Sequence, residues 1–68
     1  MQSDEIYLFV ENSIARAKAV NLNYIDISGR LSERVILPQN LYNKNETFYL
    51  KAFCFKTHSI RTFRLDGI

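Results

Sequence analysis

Sixty-eight residues, 47% of them hydrophobic and 24% charged, make a globular composition and one domain at most. A chain of this size buries only about 60% of its unfolded surface, so its core is small. No apolar run approaches the ~20 residues that span a bilayer, and the acidic start Met1-Gln2-Ser3-Asp4-Glu5 is unlike a signal peptide, so a cytoplasmic, non-membrane protein is expected. The single cysteine, Cys54, excludes an internal disulfide and fits a reducing compartment.

From Asp4 to about Ala19, Ile6, Phe9, Val10, Ile14 and Ala17 recur at spacings of three and four, which predicts an amphipathic helix over about 4–19. Ser3 is the expected N-cap, and Asp4 and Glu5 suit the positive end of the macrodipole. Leu22 to Ile27 alternates as a strand, and Ser28-Gly29 supplies a turn. Arg34-Val35-Ile36-Leu37 is a second strand that Pro38 either closes or bends by a bulge. Tyr42 to Glu46 is a polar turn, Phe48–Phe55 a strand, Thr57-His58-Ser59 a turn, and about Ile60 to Leu65 the last strand. One helix before four or five short strands predicts a small curled sheet or barrel over about 22–66, with the helix covering an open end or edge.

Strand parity sorts the side chains. Leu50, Ala52 and Cys54 face one way, as candidates for a tight interior, while Tyr49, Lys51, Phe53 and Phe55 face the other. Phe63 and Leu65 oppose Thr62, Arg64 and Asp66. The net charge of +2 is mild, but only Asp66 offsets Lys51, Lys56, Arg61 and Arg64 after Tyr49. Cations interleaved with aromatic rings suit single-stranded nucleic acid, with Arg61, Arg64 and Lys51 on phosphates and Tyr49 and Tyr24 stacking on bases. The plainer reading pairs the arginines with Asp66, Asp26 or Glu33, and sets Phe53 and Phe55 against the helix. Arg34 shares parity with Ile36, so it either braces the interior through Asp26 or joins the site. His58 is a surface turn residue. Cys54-x-x-x-His58 is neither a zinc site nor a nucleophile–base pair, and no paired carboxylates or phosphate loop stand anywhere, so no catalysis, metal or cofactor is expected.

The pattern Tyr24-x-Asp26-x-x-Gly29, Arg34-x-Ile36-x-Pro38-x-x-Leu41, Phe48-Tyr49-Leu50-x-Ala52-x-Cys54 and Arg61-Thr62-Phe63-Arg64-Leu65-Asp66 resembles the WYL domain over nearly the whole chain. Phe48 stands where the name-giving Trp usually is, and Gly67 where an Arg often precedes the final Ile. The resemblance implies an SH3-like or Sm-like barrel of four to five strands, a monomer spanning 1–68 and belonging to a larger bacterial protein. WYL domains stand behind winged helices in transcription regulators and at the C-terminal end of some superfamily-1 helicases. It follows that the leading expectation is an accessory ssDNA-binding module of a helicase-like parent, with Arg34, Arg61 and Arg64 carrying the basic function and RNA or a nucleotide as other anionic partners. An effector- or nucleotide-sensing domain of a transcription regulator, and a protein-interaction module using the Phe53/Phe55 face, are the alternatives.

Overall fold

The computed structural model describes residues 3–68. Helix α1 (Ser3–Ala15) is followed by strands β1 (Val20–Ile25), β2 (Leu31–Lys44), β3 (Thr47–Cys54) and β4 (Ser59–Arg64), and by a 3-10 turn (Leu65–Gly67). The four strands form one antiparallel sheet in the order β1-β2-β3-β4. Each hairpin neighbours the last, so every pairing is local in sequence.

The helix is shorter than its apolar periodicity suggests. Ala17 takes φ 51°, the Ala17 N–H donates to the Ile14 carbonyl, and the Lys18 N–H donates to the Ser13 carbonyl. This is a Schellman ending built on alanine where glycine is usual. Ile6, Val10 and Ser13 form the buried stripe, with Tyr7 and Ile14 packed beside it, whereas Phe9 lies at the stripe's edge, half exposed. Ser13 is tolerated there because its hydroxyl donates to the Phe9 carbonyl at 2.9 Å. The cap expected on Ser3 rests on a side chain outside the described residues.

The turn between β1 and β2 is organised by one carboxylate. Asp26 accepts from the Ser28 N–H, the Ser28 hydroxyl and the Arg30 N–H at 3.0, 2.6 and 3.0 Å. Gly29 takes φ 84° within it, a conformation that costs glycine little. The Ser28 hydroxyl bond, followed by the Arg30 backbone bond, holds Asp26 below the ordinary carboxylate range.

Strand β2 does not stop at Pro38. It runs on to Lys44, with the register against β3 shifting between Pro38 and Asn40. The Phe55 N–H donates to the Val35 carbonyl, so by alternation the Pro38 nitrogen faces the β1 side. There β1 has already ended, its last partner being Ile36 opposite Val20, and no donor is missed. The bulge at Gln39 bends the strand, so its first half serves β1 and its second half β3. The turn into β3 is only Asn45-Glu46, both at positive φ, the geometry of a two-residue hairpin.

The expected closed barrel is not formed. β1 and β4 are both edges, and between them lie side-chain contacts instead of a ladder. Tyr24 of β1 stands edge-on to Phe63 of β4 at 5.0 Å, and its hydroxyl accepts from the Arg64 N–H at 3.1 Å. The core fills the concave side: Val20, Leu22, Ile36, Leu50, Ala52, Cys54, Phe63 and Leu65 against Ile6 and Val10 of the helix. Leu50, Ala52 and Cys54 do face inward, as parity indicates. Phe53 and Phe55 do not meet the helix, which packs on the opposite face; their rings pack on one another at 5.2 Å. No described helix is long and apolar enough to cross a membrane.

Candidate functional site

The concave face is only partly filled by apolar side chains, and Arg34 enters the remainder. It lies opposite Leu22, on the inward side of β2. Its Nε–H donates to the Ser32 hydroxyl at 3.2 Å, and one terminal nitrogen reaches the Cys54 sulfur at 3.9 Å. The guanidinium carbon sits 5.8 Å from the centre of the Phe63 ring, a cation–π arrangement. Among the described residues the only ion pair is Arg64–Asp66, so the half-buried Arg34 charge is held in place with no carboxylate beside it. Asp26, the brace considered from sequence, is occupied by its own turn.

Arg61 lies opposite Ala52 and two residues from Phe63, on this same face, and is exposed. Cys54 is fully buried between the two arginine-bearing strands. Burial pushes its thiol up, but hydrogen bonds from the Thr57 backbone and side chain, the Lys56 backbone and Arg34 outweigh that and bring it down to about 7.

The convex face carries a different set. Tyr49 pairs with Arg64, and Lys51 with Thr62, across β3 and β4. Tyr42 pairs with Tyr49 from the other side, and the two rings stack at 5.6 Å and 24°. Arg64 binds Asp66 at 2.8 Å, which holds its guanidinium still more firmly charged, and its Nε is buried with no partner. Arg61 and Arg64 therefore stand on opposite faces, and Arg61, Arg64 and Lys51 do not form the one phosphate-binding set expected. Their odd spacing already carried that signal, since residues three apart on a strand point oppositely. Tyr24 is buried against Phe63, so its ring offers no face to a base. Ser32, Phe63 and Tyr42 were missed: Ser32 stands beside Arg34 by strand parity, two residues away on β2, whereas Phe63 and Tyr42 gain their places by packing and pairing between strands. Among the described residues no three His, Cys, Asp or Glu side chains gather as a metal site.

A sequence model of the WYL domain matches residues 5–68. The chain belongs to the WYL domain family. Among solved structures, this WYL domain is similar to proteasome accessory factor B/C (PafBC) of Arthrobacter aurescens, with a TM-score of 0.90 and 26% identity. That match covers 96% of this chain and 10% of the other, so the chain spans about a tenth of that protein's length. No curated protein sequence matches. The family's name-giving segment falls on β3: Phe48 packs edge-on to Tyr7 at 5.1 Å, Tyr49 faces the convex side, and Leu50 is fully buried. Gly67, the other departure from the WYL pattern, lies so close to the Ile25 carbonyl and the Tyr24 ring that a Cβ there would collide with both.

Proposed function

We propose that this WYL domain is the effector-sensing part of a bacterial transcription regulator, taking a phosphate-bearing ligand such as a nucleotide on its concave face. The observation that carries the reading is Arg34, a half-buried guanidinium oriented by Ser32 and Phe63 with no carboxylate to neutralise it. A guanidinium positioned in advance binds phosphate oxygens in fork geometry with little further ordering. Arg61 adds a second cation from β4. An anion held by both would tie β2 to β4 over β3 on the concave face. A ligand that prefers the more tightly curled form shifts the population towards it, and an attached DNA-binding domain would read that shift.

The test is calorimetric titration with a mononucleotide at two salt concentrations. Arg34→Ala and Arg61→Ala should each weaken binding at least about tenfold, and Lys51→Ala or Arg64→Ala much less. Equal loss from both pairs, or no binding at millimolar nucleotide, would remove the concave site.

A second reading is favoured by the Tyr42–Tyr49 stack beside Lys51 and Arg64: an accessory module that tracks ssDNA along the convex face, as in a helicase-like parent. Steeply salt-dependent binding of a single strand of ~15 nucleotides, lost in Lys51→Ala/Arg64→Ala and retained in Arg34→Ala, would establish it instead.

A further inference from the structure

A groove lies where the start of α1, the β2–β3 hairpin and the 3-10 turn meet, and it adjoins the arginines only through Asp66, the partner of Arg64. Its volume is about 590 Å³, within the ~300–1,000 Å³ typical of ligand pockets. The walls are Tyr7, Leu8, Phe48 and Leu65. Leu8 is 62% and Phe48 41% exposed, so large apolar side chains face water here.

The rim has one sign. Asp4, Glu46 and Asp66 border the groove, and no lysine or arginine does, in a chain whose net charge is +2. Asp66 is neutralised by Arg64, which leaves Asp4 and Glu46 as the free charges of the rim, neither in an ion pair among the described residues. The two come from different elements, the first turn of α1 and the tip of the β2–β3 hairpin, as do the rings of Tyr7 and Phe48 that meet in the groove wall.

We infer that this groove docks a cationic, apolar peptide segment of a partner protein, an aromatic or branched side chain entering between Leu8 and Phe48 while flanking Lys or Arg residues lie over Asp4 and Glu46. The charge pattern selects that occupant, since an acidic peptide or a phosphate-bearing ligand is repelled here. The domain thereby presents two surfaces of opposite preference, one for an anionic effector and one for a basic partner.

Nitrogen–proton correlation spectra of the full chain would be followed while adding a blocked Lys-Phe-Leu-Arg peptide, its counterpart Glu-Phe-Leu-Glu, or tyramine. The basic peptide should shift the amides of Tyr7, Leu8, Thr47 and Phe48. Asp4→Lys/Glu46→Lys, at two exposed positions, should weaken it about fivefold or more, in keeping with two lost surface charge pairs. Leu8→Asp should weaken it as well. Four outcomes would overturn the proposal: no shifts at millimolar peptide, equal binding of the acidic peptide, tyramine binding as tightly as the peptide, or shifts confined to the Phe53/Phe55 face.

Discussion

Two small residues set limits that their chemistry alone does not announce. Gly67 is confined by space: its Cα lies against the Ile25 carbonyl, and an added Cβ would fall 2.8 Å from the nearer Tyr24 ring carbon. Gly67→Ala should therefore cost about 1–3 kcal/mol, the usual penalty of overpacking, read as a lower urea midpoint at unchanged slope. The Arg common at this place in the family would meet the same obstruction. Ala17 is the converse case, a Cβ tolerated at φ 51° where none is wanted. Ala17→Gly should stabilise the chain by up to about 1 kcal/mol, because the left-handed ending no longer carries a steric penalty. Cys54 makes a pH prediction. Its folded value, about 7, is below the ordinary 9.0, so the thiolate is favoured by folding. That contribution is fully present above pH 9, and is lost as pH falls through about 7. Stability relative to Cys54→Ala should accordingly rise between pH 7 and 9, and the ultraviolet thiolate absorbance of the folded chain should titrate near 7.

At the scale of elements, β2 governs the architecture. One strand of 14 residues serves two partners because the bulge at Gln39 lets it change direction. Deleting Gln39 would leave Asn40–Lys44 opposite their present partners, with Leu41 still facing Leu50, and would remove only the bulge and its bend. The expected outcome is a straighter β2 that serves β1 and β3 less well, read as a lower urea midpoint with dispersed amide signals kept, whereas Gln39→Ala, which keeps the count, should change stability by less than about 0.5 kcal/mol. Tyr24 does for β1 and β4 what a ladder does elsewhere. Its hydroxyl satisfies the Arg64 N–H at the sheet edge, so Tyr24→Phe should cost about 0.5–1.5 kcal/mol, measured by denaturant unfolding.

The whole molecule is a curled sheet held by one small core and left open along one side. Its stability margin is modest at this size, which makes it sensitive to ligands. A nucleotide bound on the concave face at 100 times its Kd should add about 2.7 kcal/mol, raising Tm by more than about 10 °C. Scanning calorimetry should show this rise in the parent chain and its absence in Arg34→Ala. An open side also suits a sensing role better than a closed barrel, since curl can vary without breaking a hydrogen-bonded ladder.

What the chain by itself determined is what depends on near neighbours. The alternation of small and aromatic residues in Thr47–Cys54 set which side would be buried, and Asp26 with Gly29 specified the first turn. The WYL pattern was legible for the same reason, since it is made of such local strings. Tertiary structure alone decided the rest. Whether Pro38 ends a strand depends on whether another strand lies against its nitrogen, and β1 stops just short of it. Helix length was decided at Ala17, where a left-handed ending overrode an apolar period that continues past it. Closure depends on how the two sheet edges meet, and Tyr24, Phe63 and Gly67 fill that gap with side chains and a close approach instead of a ladder. Arg34 gained its position the same way: its neighbours Ser32, Cys54 and Phe63 come from three strands, and their convergence is a property of the curl.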